Sequence, residues 1–292
     1  MSFKVDNAII MAAGTSSRFA PLSYELPKSL IEVKGEILIE RQIRQIQEAG
    51  IKQIIVVVGY MKEKFDYLAD KYGVILVENS EFDTRNNTGS INAVKDYLRN
   101  SYLCSSDNYF HENPFETEVD ESYYSAVYSD GPTNEWCIHV DENDYIDDFT
   151  VGGADSWYML GHTFWSEQYS KTFLELLEKE YDLPETADNL WETFYKKHID
   201  VLKMKIRRYP DNYIYEFDTM DELREFDDSY VDNTRSVILK NICRELNCLE
   251  RDIHDIKAVK DGIDAIGFEF IANGKKYRYL YKTEKLEELV IC

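Results

Sequence analysis

Long apolar runs are missing from this 292-residue chain, and none approaches the ~18 residues of a membrane span. No basic stretch followed by a long apolar one opens the chain, so no secretory signal is expected. Basic residues are in deficit, 33 Lys and Arg against 55 Asp and Glu, for a net charge of −22. That balance argues against a general binder of nucleic acid or of anionic membranes, since phosphate backbones need basic patches. It leaves open a small phosphorylated molecule, which needs only a local basic site, and the acid excess itself reads as solubility. Cysteines are few and odd in number (Cys104, Cys137, Cys243, Cys248 and Cys292), with no CxxC, which points to reduced thiols in a cytoplasmic protein. The five His are scattered, without HxxxH spacing or a Cys/His cluster, so no zinc site is expected. Both GxGxxG and GK[ST] are absent, which removes the dinucleotide fingerprint and the P-loop. Internal repeats and low-complexity linkers are also lacking.

What remains is a regular alternation. Residues 7 to 13 read as a buried strand and 37 to 49 as a helix stopped by Gly50. "QIIVVV" (53–58) is a second strand, 61 to 71 a helix and 73 to 77 a third strand. A helix over 88–99 and a strand at 101–104 complete the run. Near-continuous apolar strands alternating with helices predict an α/β fold: a Rossmann-like, mostly parallel sheet with helices on both faces. In such sheets ligands bind beyond the carboxyl ends of the strands. The loop at Gly14 and the segment "SSDNY" (105–109) lie at such ends. After residue 120, strand-like runs at 122–128, 135–140 and 157–160, with turns between them, predict an antiparallel extension. Helices are expected at 166–180, 187–197 and 219–228, and a strand at 201–206. The domain reading is 1–230 for the main body and 233–292 for a small α+β appendage. That appendage combines a helix in "TRSVILKNICRELN" with a hairpin turning at Asn273-Gly274. About 60 residues make a marginal core, so the appendage is expected to dock on the main body or on a second subunit.

The first loop concentrates polar chemistry: Gly14, then Arg18, then Pro21-Leu22, then Pro27-Lys28. A glycine lets backbone N–H groups approach a phosphate, Arg forks onto phosphate oxygens, and Lys reaches one as a point charge. "MAAGTSSRFAPLSYELPKSLIEV" resembles the signature of the nucleoside-triphosphate transferases that activate sugar and alcohol phosphates. "VGYMKEKFDYLADKYGVILVEN", "DNYF", "YYSAVYSDGPTNEW" and "YIYEFDTMDELREFD" are similar to the bacterial CTP:phosphocholine cytidylyltransferases. The likeness covers residues 6 to 228. Where many relatives have GxGxR, this chain has Gly14-Thr15-Ser16-Ser17-Arg18. The appendage resembles the N-terminal edge of a choline kinase-like domain and ends before any kinase catalytic loop.

The resemblance implies a nucleotidyltransferase fold and transfer of CMP from CTP to phosphocholine, giving CDP-choline and pyrophosphate. A phosphomonoester is largely dianionic near neutral pH, so no catalytic His is required. The demands are alignment of two anions and neutralisation of charge. Arg18, Lys28 and Asp107 are the expected catalytic residues, and Ala12, Ala13, Gly14 and Thr15 form the nucleotide loop. Mg²⁺ is the expected cofactor, with Asp107, Asp218 and Glu216 as its candidate ligands; Glu216 shares a face with Asp218 if the segment is extended. Asn86 and Asn87 offer amides to a base or ribose, and Thr88 is expected to cap the following helix. Choline's trimethylammonium calls for aromatic faces with a carboxylate nearby, which singles out Glu135-Trp136 and Trp191-Glu192. The alternatives are phosphoethanolamine or 2-aminoethylphosphonate as acceptor, and, in another class, a catalytically silent nucleotide sensor or assembly subunit. A homodimer is compatible with the sequence, and the appendage is expected to be dispensable for chemistry because every candidate precedes residue 228.

Overall fold

Six residues of low polarity, Asn7–Ala12, form the first sheet strand (β1) in the computed structural model, which describes residues 2–261 and 264–290. Cys292 lies outside the described residues. By proximity the chain divides into two compact units. One takes the residues up to Gly14 together with Leu38–Glu216; the other takes Thr15–Ile37 and the chain from Phe217 onward. The sequence reading draws a single boundary at 230–233, whereas this grouping puts the segment after Gly14 with the C-terminal residues.

The first unit is built on a seven-stranded sheet. After β1 come helix α1 (Leu38–Glu48), β2 (Gln53–Val58), β3 (Ile75–Glu78), α2 (Thr88–Ala93) and β4 (Ser101–Ser105). There follow β5 (Tyr109–Phe110), β6 (Tyr123–Val140), β7 (Ile146–Trp165), α3 (Glu167–Glu180), α4 (Trp191–Lys197), β8 (Lys205–Arg208) and β9 (Ile214–Tyr215). The sheet order is β8-β6-β7-β4-β1-β2-β3, with β4, β1, β2 and β3 mutually parallel and β7 antiparallel to β4. Side chains alternate across the sheet. Ile9, Ile55, Val57 and Leu103 join Ile91, Phe173, Trp191 and Phe194 in one core. Their neighbours Ala8, Ile10, Val56 and Cys104 point the other way and are equally buried, so both faces are covered.

Two expected helices are broken. Residues 61 to 71 divide into a 3₁₀ turn at Lys62–Phe65 and a short helix at Tyr67–Tyr72. The helix over 88–99 stops at Ala93 and continues as a 3₁₀ turn at Lys95–Tyr97. The helix expected at 187–197 begins at Trp191, with a separate turn of helix at Pro184–Asp188 before it. Turns expected around residue 131 and between 140 and 157 are largely replaced by strand. β6 runs 18 residues and β7 20 residues as one long antiparallel hairpin. Register shifts between Ser129 and Pro132 and between Thr133 and Trp136 absorb the punctuating residues, and Gly131 takes φ 93° there. A bulge tolerates a proline that cannot donate to the ladder. The one true turn, at 141–145, is held by Asp141, whose carboxylate accepts from the backbone N–H of Asn143 (2.8 Å) and Tyr145 (3.0 Å).

The second unit holds α5 (Met220–Phe226), α6 (Val237–Leu246) and a four-stranded antiparallel sheet. Its strands are β10 (His254–Asp261), β11 (Asp264–Ala272), β12 (Lys275–Leu280) and β13 (Lys285–Leu289). Thr219 and Glu222 cap α5 reciprocally. Asn273 and Gly274 both have positive φ, 52° and 71°, as a two-residue hairpin turn between β11 and β12 requires. The expected hairpin is therefore the centre of a larger sheet. The segment 15–37 contributes turns at Ser17–Phe19 and Lys28–Leu30 and a helical turn at Leu22–Glu25.

Candidate active site

Three groups of residues carry the expected chemistry. In the second unit, Asp218 lies at the entry to α5, where its backbone N–H donates to Glu222 at 2.6 Å. Its carboxylate pairs with the guanidinium of Arg18 and stands 3.6 Å from the ammonium of Lys28. The two cations differ sharply: the Arg18 side chain is 70% exposed, whereas that of Lys28 is 4% exposed. Lys28 also sits 5.8 Å from the centre of the Phe19 ring. A buried ammonium needs a compensating charge, and Asp218 provides it. Ser16, two residues before Arg18, takes φ 47°, an uncommon conformation for a residue with a side chain.

In the first unit, β1 and β4 end side by side, Met11 opposite Ser105. Ala12 and Ala13 are buried at this end, and Gly14 is exposed, with open space where a side chain would stand. Asp107 follows β4. The β5–β9 pairing, Tyr109 opposite Tyr215, then sets Asn108 beside Glu216, and the Asn108 amide donates to the Glu216 carboxylate at 3.4 Å. Asn108 is 1% exposed, and its Oδ1 has no hydrogen-bond partner. Sequence reasoning passed over Asn108; its only signal was the "DN" pair. Strand β9 itself stops at Tyr215, one residue before Glu216. Glu216 belongs with Asn108, and Asp218 with the two cations. Among the described residues no three His, Cys, Asp or Glu side chains gather closely enough to cage a metal ion. The donors present are carboxylates, hard oxygen ligands of the kind Mg²⁺ takes one or two at a time beside substrate phosphates.

The third group surrounds α4. Glu192 accepts from the Tyr124 hydroxyl at 3.0 Å, while its other oxygen, Oε2, is enclosed and has no hydrogen-bond partner. Burial pushes this carboxyl up to about 7, against the pull of hydrogen bonds from its own backbone, from Tyr124 and from the Asn87 side chain. Tyr124 is a second residue that sequence reasoning missed. Trp191 is 1% exposed, stacked on Tyr124 with ring centres 5.7 Å apart and edge-on to Trp165. Its ring faces core neighbours, so packing accounts for it. Trp136 is half-buried on β6 and lies against Phe149, 5.2 Å between centres; Glu135 beside it is exposed. Phe149, Tyr195 and Trp191 continue the aromatic contact from Trp136 to Tyr124.

Asn86, Asn87 and Thr88 are tied to the approach to α4. Asn86 donates its amide to Asp188 O (3.2 Å), Asn87 Oδ1 accepts from Trp191 N–H (2.6 Å), and Thr88 Oγ1 donates to Thr186 O (2.9 Å). Thr88 is thus the first helical residue of α2, buried with its hydroxyl bonded to Thr186, and not the cap the sequence led us to expect.

This chain is 36% identical over 221 residues to a choline-phosphate cytidylyltransferase of Streptococcus pneumoniae, covering 76% of this chain and 96% of that protein. The chain belongs to the choline-phosphate cytidylyltransferase family. Residues 8–108 match the MobA-like NTP transferase domain. A 2-aminoethylphosphonate cytidylyltransferase of Lancefieldella rimae is also 36% identical, over 79% of this chain and 95% of its own. The solved structure of the S. pneumoniae CTP:phosphocholine cytidylyltransferase superposes with a TM-score of 0.74, covering 78% of this chain and 99% of that one. As a member of this family the chain is a nucleotidyltransferase, which sets aside the silent sensor. Among the described residues no helix is long and apolar enough to cross a membrane.

Proposed function

We propose that this nucleotidyltransferase moves CMP from CTP to phosphocholine. A phosphate oxygen of the acceptor attacks the α-phosphorus of CTP, the bond to the β-phosphate oxygen breaks, and pyrophosphate leaves. The observation that carries the acceptor choice is the enclosed carboxylate of Glu192, with Tyr124 and the aromatic run toward Trp136 around it. A quaternary ammonium is attracted to aromatic faces and compensated by a carboxylate. Arg18 and Lys28 would neutralise the triphosphate, with Asp218 holding Lys28 charged and oriented in its buried seat. The backbone at Ala12, Ala13, Gly14 and Thr15 would line the phosphates, Gly14 being the position with open space. Asp107 and Glu216, the candidate carboxylates of the first unit, would hold Mg²⁺. When bound, that ion would supply Lewis-acid stabilisation of charge on the phosphates.

A second reading has its own support: the relative that acts on 2-aminoethylphosphonate is as similar as the one that acts on phosphocholine. A primary ammonium would donate hydrogen bonds to Glu192 Oε2 where a trimethylammonium has none to give. One experiment separates them: pyrophosphate release from CTP and Mg²⁺ with phosphocholine, phosphoethanolamine and 2-aminoethylphosphonate in parallel. Preference for phosphocholine in kcat/KM supports the first reading; preference for a primary amine replaces it.

A further inference from the structure

The segment that carries Arg18 and Lys28 is held by residues from the C-terminal part of the chain. The ring of Tyr24 stacks face to face on Tyr281, 3.8 Å between centres and 5° between planes. Glu25 Oε1 accepts from the first two backbone N–H groups of α6, those of Val237 (2.8 Å) and Ile238 (3.3 Å). Arg235 donates to Glu32 O (2.8 Å), and Tyr230 donates to the same oxygen (2.7 Å). Strand β10 packs directly against the turn Ser17–Phe19 that bears Arg18. The same strand reaches the helix after Asp218: Asp255 N–H donates to Asp221 (3.0 Å), and Arg224 donates to Glu250 O just before β10 (2.7 Å). All three charged groups of this cluster are therefore mounted on elements that residues 230–281 brace.

We propose that the C-terminal helix and sheet are a positioning element for the triphosphate-gripping groups, acting on Arg18 and Lys28 through the Tyr24–Tyr281 stack and the Glu25–α6 contact. This proposal runs against the expectation that the appendage is dispensable for chemistry, and the experiment below decides between them. The similarity to the 36%-identical relatives covers 76–79% of this chain and nearly all of theirs. A segment made of short turns opens locally more easily when contacts to it are removed; fixing its far side keeps two cations in register with a polyanion. The inference rests on Arg18 and Lys28 serving the triphosphate.

The test uses the full-length protein. Tyr24 is 44% exposed, so Tyr24→Ala removes the stack without hollowing a core. It should lower kcat/KM for CTP roughly fivefold, in line with the worth of an aromatic stack, leave the acceptor KM unchanged and speed amide exchange over residues 15–30. Tyr24→Phe, which keeps the stack, should restore both readouts, and Glu25→Ala should reproduce the loss. A folded Tyr24→Ala protein with wild-type kcat/KM for CTP and wild-type exchange overturns the proposal. Lys28→Ala run alongside separates the causes. If it loses activity while the Tyr24 and Glu25 variants do not, the brace alone fails. If it too is fully active, the triphosphate assignment fails and takes the brace with it.

Discussion

Tyr124 donates its hydroxyl to the Glu192 carboxylate at 3.0 Å, and the Asn87 side chain also hydrogen-bonds this buried carboxyl. The carboxyl is pushed up to about 7 by burial. The folded state therefore holds this proton more tightly than the unfolded chain, and the group's contribution to stability falls as pH rises from about 4.5 through about 7. Glu192→Gln removes that penalty and keeps an acceptor for Tyr124. Thermal melts should show the variant gaining on the wild type at pH 8 more than at pH 5. At the same time its KM for phosphocholine should rise, because the neutral amide cannot compensate a quaternary ammonium. An equal gain at both pH values would show that Glu192 does not titrate in this range.

Lys28 and Arg18 should separate in stability but not in chemistry. Lys28→Ala is expected to lower kcat/KM by at least ~10-fold, about 1.4 kcal/mol of transition-state stabilisation. Arg18 is largely solvent-exposed, so Arg18→Ala should leave the unfolding free energy within about 0.5 kcal/mol of wild type while activity falls. Asp218→Asn, which strips the buried ammonium of its counter-charge, should destabilise by about 3 kcal/mol. Urea melts beside initial rates decide each case; an Asp218→Asn protein as stable as wild type would place the compensation of Lys28 elsewhere.

Asp107→Asn should lower kcat strongly with the melt unchanged, and EDTA should abolish turnover until Mg²⁺ or Mn²⁺ is restored. Binding of Mn²⁺ in the presence of CTP, followed by its electron paramagnetic resonance signal, should weaken in the same variant. Full activity in EDTA refutes the metal assignment.

Trp136 offers a discriminating substitution because it is only half-buried. If its ring receives the trimethylammonium, a desolvated contact contributes about 2 kcal/mol. Trp136→Ala should then raise the phosphocholine KM roughly 30-fold, and the KM for CTP should hardly move. Equal damage to both substrates, with a melt lowered by ~3 kcal/mol or more, would assign the ring to packing against Phe149.

The parallel half of the sheet was legible because its signal is local: β1, β2 and β4 are short apolar runs ended by polar turns. The long hairpin was not, because Gly131 and Pro132 are turn signals in any window, and only pairing with Ala154 across the bulge keeps them in a strand. Arg18, Lys28 and Asp218 were named from sequence, and the structure joins them in one cluster. What sequence could not show is which partner each polar group has already taken. Asn86 and Thr88 look available in a string of letters, yet both donate to the backbone leading to α4. Asn108 and Tyr124 carried no periodic signal of their own; their importance comes from Glu216 and Glu192, far along the chain.

The interleaving of the two units has a consequence for biosynthesis. Thr15–Ile37 leaves the ribosome early, but the residues it packs with, from Phe217 onward, leave last. Until they arrive, the stretch holding Phe19, Leu22 and Leu30 has no permanent cover for side chains that end up buried. Such contacts between distant parts of a chain form late and slowly, and the waiting apolar surface is open to aggregation. The nascent polypeptide therefore assembles its seven-stranded sheet first and the Arg18–Lys28–Asp218 cluster last, so a product of translation interrupted before Phe217 lacks that cluster.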